Sequence, residues 1–145
     1  MTKITVDTNV LISATFWYGT SYKIIKLIEQ QRLKLVLSLE IIKEYRDVLG
    51  YEEIQEKIKD KNLEMKRSVE KIISLANIVM PIRKIKAVEA DSDDNKIIEC
   101  ALAGNTDYII TNDHHLLDLK EFEGINILTP EEFLKRIGSE DILNK

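Results

Sequence analysis

The chain has little of what staples or interrupts a fold. Its 145 residues include one cysteine, Cys100, which excludes an internal disulfide and points to a reducing, cytoplasmic setting. No Cys/His spacing suggests zinc. No run of about eighteen apolar residues occurs, so no membrane span is expected. The N-terminus carries a single lysine and then a strand-like run, without the profile of a secretory signal. Linkers rich in Pro, Gly or Ser, internal repeats and low-complexity tracts are also lacking. Residues 1–145 therefore read as one domain, long enough to bury a core. An excess of positive charge is lacking too: the net charge is −4 and the pI about 5.3. Long-range attraction to nucleic acid is thus not the overall signal. A phosphate-bearing partner would need a local patch, or metal ions that turn acids into an attractive site.

What is present is an ordinary globular mixture, 44% hydrophobic and 32% charged. Short runs rich in Val and Ile occur at 3–7, 34–38, 77–80, 107–111 and 125–128, with little polar alternation. That is the pattern of strands buried on both faces. Helical patterns lie between them. Residues 20–31 place Ile24, Leu27 and Ile28 on one side, and Ser38 is expected to cap a helix through Leu49. A charged pair follows at 51–60 and 62–76, the second with Val69, Ile72, Ile73 and Ala76 in one stripe. Residues 93–103 form a helix closed by Gly104, at a position that favours positive φ, and Thr129 and Pro130 open the last helix. Alternating strands and helices predict a three-layer α/β/α sandwich around a mostly parallel sheet. In such sheets, sites form beyond the carboxyl ends of the strands.

Acids stand at those ends. Asp7 closes "KITVD", and Asp113 follows "DYIIT" in "IITNDHHLL". A charge against a buried sheet is costly unless it is paired or holds a metal. In the helix 39–49 the apolar stripe centres between Ile41, Tyr45 and Leu49. Glu44 lies roughly 100° from that centre, with Glu40 and Asp47 further round. Asp94 begins the buried face of its helix, since Ile97, Ile98 and Ala101 follow at helical spacing. Its carboxylate would sit near the positive end of the helix dipole. Asp91 or Asp93 can serve as cap. Each of these acids alone has an ordinary reading as cap, turn residue or solvated helix acid. Together they point to one end of one sheet, where repulsion would raise their pKa values unless a hard cation such as Mg²⁺ or Mn²⁺ were held.

The motifs "VDTNVLIS", "LSLEIIKEYRDVL", "DSDDNKIIECALAGNTDYIIT" and "TNDHHLL", in this order, resemble those of the PIN-domain family of metal-dependent ribonucleases. That family includes the toxins of VapC-type toxin–antitoxin pairs, and "GINILTPEEFL" is similar to the tail of one toxin-like subgroup. By position the resemblance implies that Asp7, Glu44, Asp94 and Asp113 hold Mg²⁺ or Mn²⁺, with Asn9 and Thr111 hydrogen-bonding around it. Asp93, adjacent to Asp94, is the alternative third acid; the helix phase and the "D-x-x-I" spacing favour Asp94. The resemblance further implies hydrolysis of RNA phosphodiesters by activated water, a protein antitoxin as partner, and a homodimer. Rival readings are a catalytically inactive module that binds RNA or protein, and a magnesium phosphatase or phospho-receiver. The last of these wants a Lys partner where Thr111, Asn112 and Asp113 stand.

Other features have bland readings. His114 and His115 read as a solvated loop pair. The aromatic cluster "TFWYGTSY" reads as core or dimer packing ahead of base stacking. Arg83, Lys84 and Lys86 read as a solvated loop near the mouth of the site, with phosphate contact as the alternative. Lys57, Lys59, Lys61, Lys66 and Arg67 read as a solvated face, and Cys100 as a small buried residue.

Overall fold

The computed structural model describes residues 1–87 and 92–138, and of Ser92 and Asp93 the backbone alone. A six-stranded sheet runs through its centre in the order β3-β2-β1-β4-β6-β5. The strands are β1 (Lys3–Val6), β2 (Lys34–Ser38), β3 (Asn77–Val79), β4 (Tyr108–Ile110), β5 (Glu121–Phe122) and β6 (Ile125–Leu128). All pairings are parallel except that of β5 with β6. The short β5 was not expected from the sequence. Two residues carry no periodicity, and its direction follows from the tight turn through Glu123 and Gly124, both at positive φ.

Helices cover both faces. α1 (Thr8–Phe16), α2 (Thr20–Glu29) and α5 (Asp60–Leu75) pack on one another, and α5 also reaches β2. α6 (Ser92–Ala103) lies across β1, β2 and β4. Side chains alternate along a strand. Thus Thr5 turns toward α6, with its hydroxyl donating to the Val36 carbonyl at 3.1 Å and lying 4.0 Å from Cys100 Sγ. Ile4 and Val6 enter the opposite layer, fully buried. The remaining helices are α3 (Leu39–Leu49), α4 (Glu52–Gln55), α7 (His114–Leu117) and α8 (Pro130–Gly138). The architecture is the three-layer sandwich expected from the alternating pattern.

Helix starts follow local chemistry. The Ser38 hydroxyl accepts from Ile41 N–H at 3.3 Å and caps α3. Thr129 and Glu132 exchange side-chain and backbone hydrogen bonds of 3.1 and 3.2 Å ahead of α8, a capping box with Pro130 in its first turn. α1 was absent from the sequence reading, because "TNVLISATF" is apolar on nearly every side and shows no stripe. It is buried by α2, α3 and α5 together. The charged pair is also redistributed, into a single turn at α4 and a longer α5.

The end of α6 corrects the expectation at Gly104. The left-handed residue is Asn105, at φ 51°. Its N–H donates to the Leu102 carbonyl, and Thr106 N–H donates to that of Ala101, which closes the helix as a Schellman motif. Gly104 is glycine for a different reason: a Cβ there would overlap the side chain of Val36, which is buried on β2. Gly104→Ala is therefore expected to destabilise the protein by about 1–3 kcal/mol, measured as a lower urea midpoint. Most of that loss should vanish in a Val36→Ala background; an equal loss in both backgrounds would place the cause elsewhere.

Candidate metal centre

The register of β1 against β4 sets Val6 beside Ile110. One residue further on, Asp7 and Thr111 stand side by side past the carboxyl ends of two central strands. Asp7 caps α1, and its Oδ1 accepts from Val10 N–H at 2.9 Å. Its Oδ2 accepts from the Thr111 hydroxyl. Thr111 is fully buried, and its Oγ1 also accepts from Asp113 N–H at 3.0 Å. One hydroxyl therefore orients two acids. Asp113 in turn caps α7, accepting from His115 N–H at 2.8 Å.

The other two acids arrive on helices. Asp94 lies in the first turn of α6, buried, and Glu44 projects from the middle of α3. Asp7, Glu44, Asp94 and Asp113, with Thr8, Asn9 and Ile97, line a pocket of about 140 Å³. The structure thus brings the four predicted acids and Asn9 to one place, with Thr111 immediately beneath. Glu44 is solvent-exposed as a residue while still forming a wall of the pocket. The side chain of Asp93 lies outside the described residues.

His115 was missed as a neighbour of this site. It lies in the single turn of α7 and is no loop residue, and its Nδ1 is 3.6 Å from Asp113 Oδ1 and 3.8 Å from Asp94 Oδ2. One ligand atom each from Asp94, Asp113 and His115 lies within 4.8 Å of the others. The signal that could have found it is the cap itself: an N-cap aspartate brings the residue two positions on back toward its own carboxylate. The His114 ring lies tilted against that of His115, with centroids 4.4 Å apart. The basic run moves in the other direction. Arg83 forms a two-pronged pair with Glu123 at 2.9 and 2.8 Å. Glu123 lies beside Asp107 and Asn126, at the amino ends of β4 and β6, so Arg83 is engaged at the edge opposite the acids.

Electrostatically the pocket is over-supplied with negative charge. Burial pushes the Asp7 carboxyl up from 3.8 to about 6. The hydrogen bonds from Thr111 and Val10 work against that rise, and the charges of Asp113 and Glu44 add to it. The N-termini of α1 and α6 face the acids and supply partial positive charge. The donor set fits a hard divalent cation: carboxylate oxygens from four elements, with the buried Thr8 hydroxyl accepting and donating no hydrogen bond among the described residues.

A family model described as the PIN domain matches residues 3–115. The fold is similar to that of PAE2754 from Pyrobaculum aerophilum, known from a crystal structure. The TM-score is 0.63 at 16% identity, over 96% of this chain and 91% of that one. At that identity the likeness is one of fold alone. No curated protein matches the chain.

The Asp7 shift has a definite sign. Between about 4 and about 6 the folded, metal-free protein holds a proton that the unfolded chain has released, so stability falls as pH rises through that window. Asp7→Asn is expected to melt above wild type at pH 8 in EDTA, by on the order of 1–3 kcal/mol, with the gap closing below pH 4. Added Mn²⁺ at pH 8 should raise the wild-type melting temperature more than the variant's. A gap that does not change with pH would show that Asp7 is not the strained group.

Proposed function

The chain belongs to the PIN-domain family, generally a nuclease fold, and from that membership we propose that it is a metal-dependent endoribonuclease. The observation that carries the reading is the pocket. Four carboxylates, from the end of β1, α3, α6 and the loop after β4, converge on about 140 Å³ at the carboxyl edge of the sheet, although burial there, with smaller contributions from Asp113 and Glu44, raises the pKa of Asp7.

Asp7, Glu44, Asp94 and Asp113 would hold Mg²⁺ or Mn²⁺. When bound, such an ion supplies charge neutralisation, polarisation of a phosphodiester and activation of water. The chain's own residues prepare the place. Thr111 and Val10 N–H fix both oxygens of Asp7. The Thr111 hydroxyl also fixes the backbone from which Asp113 projects. Asn9, exposed on the rim, is in position to hydrogen-bond a phosphate oxygen of the substrate. Ile97 gives the pocket one apolar wall, which strengthens the electrostatic interactions inside it.

The finer reading, carried over from the likeness of "VDTNVLIS" and the three later motifs, is the toxin of a toxin–antitoxin pair. Its protein antitoxin would cover this pocket, and the chain would act as a homodimer.

Incubation of a panel of RNAs with wild type and Asp7→Asn, in Mg²⁺ or Mn²⁺, tests the assignment. Cleavage is expected with wild type and should fall by about 100-fold or more in the variant, and EDTA should abolish it. Equal activity in the two proteins would refute the reading. Tight RNA binding without turnover in either metal would replace it by the binding-module alternative.

A further inference from the structure

The aromatic cluster at 15–22 divides: Phe16 and Tyr22 pack against the core, as expected, while Trp17 and Tyr18 stay exposed. Trp17 is 64% exposed at the C-terminus of α1. Its ring is set against the half-buried Phe16 with centroids 5.7 Å apart, which limits its orientations. Beside it opens a groove of about 560 Å³, floored by Ile12 and Phe16 and rimmed by Lys57, Lys59 and Lys61. All three lysines are exposed, and none pairs with a carboxylate among the described residues. Glu56 is the one acid on the rim, so the groove is locally cationic on a protein of net charge −4.

The groove is held in shape by a buried side chain. Asn62 Oδ1 accepts from Lys59 N–H at 2.9 Å, and its Nδ2 donates to the Phe16 carbonyl at 3.4 Å. One amide therefore fastens the lysine-bearing entry to α5 onto the end of α1 that carries Trp17. Helix α1 lines both the groove and the acid pocket. Asn9 lines the pocket, while Ile12 and Phe16 line the groove. These three residues share a face of α1, and Asn9 and Phe16 are about 10 Å apart along its axis. A single strand engaged at the acids can follow that face.

We propose that this groove is a second subsite for single-stranded RNA, in which a base stacks on Trp17 and flanking phosphates meet Lys57, Lys59 and Lys61. The inference rests on the nuclease reading of the acid pocket and adds to it how the substrate is gripped. An exposed indole over an apolar floor with unpaired cations at its rim suits a strand whose bases are free to stack. Charge complementarity selects a polyanion over an apolar protein segment.

Trp17 is the only tryptophan, so its emission reports on the groove alone. The full chain, kept in EDTA so that no RNA is cut, is titrated with a single-stranded RNA of about twelve nucleotides. A saturable loss of Trp17 emission is expected, tracking binding measured by anisotropy. Trp17→Leu should raise Kd by about tenfold. Replacing all three lysines by glutamine should reduce the slope of log K against log salt by about 2. RNA binding with unchanged emission and an unchanged salt slope would overturn the subsite. So would emission that follows protein concentration without RNA, which would mark the groove as a contact between copies. The two readings fail separately. If wild type cuts RNA in Mn²⁺ and Trp17→Leu cuts it with the same KM, the subsite is wrong and the nuclease stands. If RNA quenches Trp17 but is never cut, the groove is right and the nuclease assignment is not.

Discussion

The site depends on the lateral pairing of β1 with β4. β1 is flanked by β2 on one side and β4 on the other, so the crossovers leave the centre of the sheet in opposite directions and open a crevice at this point. Asp7 and Thr111 are adjacent because Val6 pairs with Ile110. Asp113 follows Thr111 by two residues. Asp94 is delivered by the first turn of the helix that crosses these same strands, and Glu44 by the helix that leaves the neighbouring strand. A slip of one residue in this pairing would turn Asp7 toward the opposite face of the sheet and dismantle the constellation.

That placement has an energetic cost which the fold offsets only in part. Two hydrogen bonds and the N-terminal ends of two helices favour the ionised form of Asp7. Burial and the neighbouring carboxylates outweigh them, and the net shift is upward. A structural aspartate held by a backbone N–H and a threonine hydroxyl would ordinarily shift downward. A cation held at the proposed metal centre would relieve this imbalance, and local rules of stability are most often broken at functional sites.

Much of this was legible in the sequence, for identifiable reasons. The buried strands declare themselves through unbroken Val/Ile runs, and the caps at Ser38 and Thr129 are local hydrogen-bonding chemistry. Glu44 could be phased against its apolar stripe within one helix. What escaped depends on tertiary partners. α1 has no stripe because it is surrounded by other helices. Gly104 is required by Val36, some seventy residues away in sequence, and not by its own φ. Arg83 is drawn from the expected mouth by Glu123 on a turn forty residues later. His115 reaches the acids only because Asp113 starts a helix instead of continuing a loop.

α1 links the chemistry to the charge of the whole molecule. Its positive N-terminal end faces the carboxylates of the pocket, and its negative C-terminal end lies beside Lys57, Lys59 and Lys61, so its dipole is complementary to its surroundings at both ends. An acidic protein with an acidic pocket repels a phosphate backbone. For the proposed RNA substrate, attraction would be local: at an ion held by the carboxylates, and outside them at cations close enough for one strand to reach both places. The face running from Asn9 through Ile12 to Phe16 meets that requirement. Helix α1 is buried by three others and leaves Asn9 exposed and Ile12 and Phe16 half-buried along that one face.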